Sequence, residues 1–123
     1  DNANGQGFHS TTSGSNASWL ERVTSPWNES TVTWNTQPST TPTNRVELLE
    51  SLSQTQDYAD INVTQLVSDM ADDPSNSHGF MLKLQNEAKF RRMNFCSSDH
   101  SNPSLRPRLE ICYSFPNSSE NLR

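Results

Sequence analysis

The chain reads as an antiparallel β-sandwich with one short helix. Three features predict it. Short runs alternate apolar and polar residues, most clearly Gly79-Phe80-Met81-Leu82-Lys83-Leu84-Gln85. Turn residues punctuate these runs at short intervals. Only one stretch, near residues 63–71, carries helical spacing instead. With 123 residues there is material for one domain. Hydrophobic residues make up only 30%, and the mean hydropathy is -0.84. Ser, Thr and Asn supply about a third of the chain, above ordinary usage. Such a composition raises the question of disorder. The patterned apolar residues of the middle and C-terminal parts argue for order there.

Residues 1–16 have little to bury and are expected to form a polar arm or long loop. Ser18 to Val23 is the first expected strand, ended by Ser25-Pro26. Next comes Trp27-Asn28-Glu29-Ser30-Thr31-Val32-Thr33-Trp34-Asn35-Thr36-Gln37-Pro38, with two tryptophans around a β-branched run. Thr31 to Trp34 reads as a second strand stopped at Pro38. A Trp buries a large area and still needs a partner for its indole N–H. Trp34 is therefore expected in the core, whereas Trp27, after a proline, suits core and solvent about equally. Glu29 is expected to bond backbone groups near Trp27. No phosphate, metal or nucleophile motif occurs here, which points away from catalysis.

The polar run STTPTN separates this region from a weaker third strand, Arg45 to Leu49, and a fourth, Tyr58 to Ile61. Asn62 is placed to cap the helix, and Gln65 to complete a capping box. Val63, Leu66, Val67 and Met70 share one helical face, and Asp72-Asp73-Pro74 ends it. In the strand after Gly79, Phe80, Leu82 and Leu84 are expected inward. Arg91 to Ser97 follows with Met93 and Phe95 inward. Arg108 to Tyr113 closes the set with Leu109, Ile111 and Tyr113 inward. Residues 115–123 read as a tail.

In that order, WNESTVTWNTQP, DINVTQLVSDM, HGFMLKLQNE and RRMNFCSSDHSNPSLRPRLEICYS resemble DNRLRE-type domains. These are similar to the disaggregatase-related repeats and to carbohydrate-binding module family 96. The resemblance covers roughly residues 17–114. It implies a jelly-roll-like β-sandwich in a secreted or surface protein, appended to polysaccharide-degrading or adhesive domains of the same polypeptide. It also implies an acidic polysaccharide such as alginate as ligand, and no catalytic residues. Against the family pattern the first strands are missing, or are replaced by residues 1–16. A sandwich short of strands exposes edges and core. Cys96 stands where a small residue such as alanine is usual.

The net charge is -5, which disfavours nucleic acid as a partner. Between residues 83 and 108, however, six basic residues face only Glu87 and Asp99, a local balance of +4. Any one of them reads as a solvated strand residue; together they suit an anionic polymer. Arg matches a carboxylate with two hydrogen bonds. Lys83, Arg92 and Arg108 oppose their apolar neighbours in parity and are expected to share an outer face. With Trp27, whose ring can stack on the C–H face of a sugar, they form the expected ligand site. Trp27, Glu29, Trp34 and Pro38 form the expected structural motif.

Ser97-Ser98-Asp99-His100-Ser101-Asn102-Pro103 sets Ser, Asp and His side by side, but a hydrolase triad assembles from separate elements. A turn is expected here. Asp99 and Asn102 offer hard oxygen ligands to a structural calcium, though carboxylates this sparse are usually solvated. His9, His78 and His100 lack metal-ligand spacing. A Cys96–Cys112 disulfide needs Cα atoms within about 7 Å, so two buried thiols are expected instead. Sequons occur at Asn16, Asn28, Asn62 and Asn117 and carry little weight in a chain this rich in Asn and Ser. No apolar run spans a bilayer, so no membrane insertion is expected. No signal peptide opens the chain, which suits a processed protein, a fragment or a cytosolic one. The Lys-poor surface favours a secreted or cell-surface location.

The expected function is a non-catalytic carbohydrate-binding or adhesion module. The alternatives are a polysaccharide lyase or hydrolase fragment, for which Tyr58, His78, His100 and Arg92 are the available groups, and a purely structural spacer.

Overall fold

A computed structural model describes residues 7–115; the sequon at Asn117 and most of the expected tail lie outside them. Its centre is a three-stranded antiparallel sheet in the order β2-β1-β3. The strands are β1 (Ser18–Val23), β2 (Thr40–Leu48) and β3 (Phe80–Leu84). One helix, α1 (Thr64–Asp72), packs against β1 and β2. No second sheet is present among the described residues. The β-rich, antiparallel expectation therefore holds, and the two-layer sandwich is not formed here.

β1 is central, and its alternation is the most strongly used. Trp19, Glu21 and Val23 share one face, and Glu21 and Val23 are buried. β1 pairs with β3 in unbroken register from Ser18↔Leu84 to Arg22↔Phe80. Its register with β2 shifts between Leu20 and Arg22. There Pro42 lies in an edge strand, where its missing N–H costs least. Asn44 adopts φ 56° and donates through Nδ2 to Asp69 Oδ2 of α1 at 2.8 Å. The polar run STTPTN is thus mostly strand rather than connection.

The cap position of α1 is Val63, which makes no side-chain cap bond, and not the expected Asn62; Asn62 Oδ1 accepts from Thr64 N at 3.0 Å from one residue further out. Gln65 does not close a capping box; its amide reaches forward to Asp69. Leu66 is fully buried, with Val63, Val67 and Met70 half-buried on the same face. Asp73 has left the helical region before Pro74, with φ -134° and ψ 67°, so α1 ends where the proline dictates.

Four expected strands are absent. Thr31 to Trp34 is a turn followed by a 3-10 turn at Trp34–Thr36. The Asn28 carbonyl accepts from Thr31 N and Val32 N and coils the chain there. Tyr58 to Ile61 is irregular, as are Arg91 to Ser97 and Arg108 to Tyr113. An alternating segment becomes a strand only where a neighbour takes its backbone hydrogen bonds. β3 has no such neighbour on its outer edge among the described residues. Leu82 is consequently 36% exposed and Ile111 52%, with Leu109 and Tyr113 also open to solvent. Phe80 and Leu84 are half-buried. The expected inward ladder is therefore only partly covered.

The stretch 7–16 is anchored at two buried residues, His9 and Asn16, with exposed residues between them. His9 is 1% exposed and stacks edge-on against Tyr58 and Phe95. Its Nδ1 accepts from Asn94 N at 3.1 Å, so Nε2 carries the proton donated to Gln56 O at 2.9 Å. Asn16 is also buried. It donates to Ser51 Oγ and Arg92 O and accepts from Ser51 N. Both cysteines are free, Cys96 buried and Cys112 exposed, which corrects the expectation of two buried thiols.

Candidate functional site

A groove of about 770 Å³ runs beside β3. Met81, Leu82 and Leu84 of β3 and Met93 give it an apolar floor. Trp34 and Gln37 lie at one side, and Lys83, Arg91, Arg92 and Glu87 add charge. Volume and lining both suit a ligand with an apolar face and polar edges.

Trp34 reaches the groove because its segment is a 3-10 turn and not a strand. Thr33 caps that turn: its N–H and hydroxyl both bond Thr36 Oγ1, at 2.8 and 3.0 Å. Gln37 Nε2 donates to Trp34 O and fixes the exit before Pro38. The ring is left 70% exposed, against the expectation that it sits in the core. Trp27 is the better anchored of the two, its indole N–H donating to His78 O at 2.9 Å. It is half exposed and lies outside the groove lining. Glu29 is exposed and bonds no backbone group among the described residues. Its expected role falls to Asn28, whose Oδ1 accepts from Ser30 N.

The three cations expected on one outer face have different surroundings. Lys83 is not free: Nζ lies 2.6 Å from Glu21 Oε2 and 3.3 Å from Thr40 Oγ1. Arg92 is exposed; its Nε donates to Phe8 O, and its terminal nitrogens have no partner among the described residues. Arg108 pairs with Glu110 at 3.5 Å in full solvent, outside the groove lining. No shared strand face unites the three, because residues 91–97 and 108–113 are not strands. Arg91, expected inward, donates through Nε to Ser13 O against Gly14, which at φ 89° leaves it room.

Behind Lys83 lies the most buried charge of the described chain. The Glu21 side chain is 2% exposed and takes hydrogen bonds from Lys83, Thr40 and Arg45. Arg45 in turn covers the Trp19 ring at 3.8 Å. Burial raises the Glu21 carboxyl, but the bonds from Lys83, Thr40 and Arg45, with the Lys83 charge, outweigh it. The group is held below the ordinary glutamate range. Of this cluster only Lys83 lines the groove; Arg45 and Glu21 lie outside its lining. A sequence signal existed, since Glu21 shares its parity with Trp19 and Val23.

Asp99 and Asn102 lie in a turn as expected. Asn102 Oδ1 caps Ser104 through both N and Oγ, which occupies the oxygen offered to calcium. Asp99 borders a polar cleft of about 370 Å³ with Cys96 and His100. Among the described residues no three His, Cys, Asp or Glu side chains gather closely enough to hold a metal. Tyr58, His78 and His100 stand outside the groove that Arg92 lines, and the Tyr58 hydroxyl is tied to Leu49 O at 2.7 Å. These four groups are thus not gathered around that groove.

The sequence model of carbohydrate-binding module family 96 matches residues 6–113. The chain belongs to that family. No curated protein and no solved structure matches it. The match takes in residues 7–16, in keeping with the burial of His9 and Asn16 in the module. No helix among the described residues of this family 96 module is long and apolar enough to cross a membrane.

Proposed function

We propose that this module binds an acidic polysaccharide, such as alginate, in the groove beside β3, without catalysis of its own. The observation that carries this is Trp34, a ring 70% exposed at the side of an apolar groove that also holds Arg92. A Trp this open in water gains most when a sugar ring stacks on it. The free terminal nitrogens of Arg92 match a sugar carboxylate in a bidentate pair. Lys83, largely neutralised by Glu21, serves hydroxyls better than carboxylates. Trp27 and Arg108 border other surfaces and contribute less. The module is read as part of a secreted or cell-surface protein whose neighbouring domains act on, or adhere through, the same polysaccharide.

Affinity electrophoresis through an alginate-containing gel tests the reading. Trp34→Ala and Arg92→Ala each lose most of the retardation, about tenfold or more in affinity. Arg108→Ala keeps it, and all three keep the wild-type circular dichroism spectrum. Undiminished retardation of both Trp34→Ala and Arg92→Ala overturns the groove as the site.

A further inference from the structure

We propose that Asn28 and Asn62 are N-glycan acceptors and that Asn16, in an equally valid sequon, is not. The sequence alone ranks the three alike: Asn16-Ala17-Ser18, Asn28-Glu29-Ser30 and Asn62-Val63-Thr64. Their surroundings separate them.

Asn28 and Asn62 are exposed. In each, the carboxamide oxygen turns back onto the backbone N–H of the sequon's own hydroxyl residue. Asn28 Oδ1 accepts from Ser30 N at 2.9 Å, and Asn62 Oδ1 from Thr64 N at 3.0 Å. Neither Nδ2 has a partner among the described residues. The bond to Oδ1 draws density from the amide and makes the Nδ2 protons easier to remove. Both turns are local. The Asn28 turn is closed by bonds from Thr31 N and Val32 N, and the Asn62 turn opens α1. Each can form on a nascent chain before remote segments arrive.

Asn16 is the opposite case. It is 1% exposed, and its Nδ2 is spent on Ser51 Oγ and Arg92 O, both at 3.0 Å. A glycan would replace one of those protons, strand a buried acceptor and demand room the fold does not have. These partners lie 35 and 76 residues downstream, so the site closes only as the chain completes.

The transfer joins Nδ2 to the anomeric carbon of an oligosaccharide carried on a lipid pyrophosphate. The bond from that carbon to the pyrophosphate oxygen breaks, its electron pair leaves on the lipid pyrophosphate, and the Nδ2 proton passes to a base of the transferase. No oxidant or reductant is involved. The assignment is independent of the groove, since neither Asn28 nor Asn62 lines it.

The test is secretion of the full chain from a eukaryotic cell, enzymatic glycan release in heavy-oxygen water, and mass spectrometry. Trypsin places the three asparagines on separate peptides, 1–22, 23–45 and 46–83, and Asn117 on a fourth. Label is expected on the second and third and absent from the first. Ser30→Ala and Thr64→Ala remove the hydroxyl the transferase requires but keep the N–H that makes the turn. Each is expected to abolish label at its own site alone and to leave the circular dichroism spectrum unchanged. Absence of label from either Asn28 or Asn62, or its presence on Asn16, overturns the proposal.

Discussion

Residues 18–84 and residues 85–115 are held together differently. In the first region, side chains meet across strands. Val23, Leu48 and Leu66 are buried, and Glu21 ties β1 to β2 and β3 through Arg45, Thr40 and Lys83. In the second, Cys96 and Leu105 are the buried apolar residues described. What holds that region is a set of polar tethers to residues 7–16, chiefly Ser10 and Asn16 on Arg92 and His9 on Asn94. The contrast shows that alternation in a sequence announces a capacity. A neighbouring strand turns it into a sheet; without one, the chain is pinned wherever a buried polar group finds a partner.

Leu66→Ala should break the first region most severely. It empties a fully buried site between α1 and the sheet, at a cost of about 2–5 kcal/mol in denaturant unfolding. A loss under about 1 kcal/mol would show that α1 is not part of the cooperative unit.

Glu21→Gln tests the ionic half of the same region and sharpens the contrast through pH. Removing one partner of a buried ion pair costs about 3–5 kcal/mol, and the half-exposed Lys83 and Arg45 place this case at the lower end. The folded-state acidity is depressed, so the stabilisation is fully present above the ordinary glutamate value of 4.5 and is lost as pH falls through the depressed one. The gap between wild type and variant should therefore be full at pH 7 and close on acidification. Asp69, lowered by bonds from Asn44 and Gln65, retains its own part of the acid slope in the variant. A gap that stays constant down to acid pH would contradict this account.

His9→Ala addresses the second region. Its two ring hydrogen bonds and its contacts with Tyr58 and Phe95 should be worth about 2 kcal/mol. The loss should be local, with hydrogen exchange quickening at residues 92–96 and leaving β1 protected. Equal quickening in β1 would mean the two regions unfold as one. Ile111→Ser should have the smallest effect, within about 0.5 kcal/mol, because that side chain is half in water already. A loss of about 2 kcal/mol would show that residues 109–113 do pack as a strand and would erase the contrast.

What was readable in the sequence follows the same division. β1, β3 and α1 were legible because their periods of 2 and 3.6 are local properties, and the Pro74 stop is local too. β2 was half hidden: Pro42 and the threonines around it look like a linker, and only pairing with β1 makes them a strand. Thr31 to Trp34 misled in the other direction, since its β-branched run was overruled by a turn closed at Asn28. That error also hid the groove, because a Trp34 assigned to the core cannot be a ligand platform. His9 and Asn16 carried no signal at all. Their partners lie 35 to 85 residues away, and no spacing rule reaches that far. Lys83 opposes Leu82 in parity, yet Leu82 is the exposed one of the two and Lys83 lies against buried Glu21, a partner on another strand that could not be read from neighbours.

The irregularity of β2 around Pro42 and Asn44 has a consequence for how copies of the chain meet. A strand missing one donor at Pro42 and carrying a left-handed residue at Asn44 is a poor template for another backbone. The opposite margin of the sheet, along β3, has no such guard among the described residues. Fibrils grow by adding molecules to both sides of each unit, and here one side is blunted. Self-association through strand edges would accordingly stop at a pair, which protects a protein with Leu49, Leu52, Leu82, Leu109 and Ile111 uncovered from open-ended polymerisation.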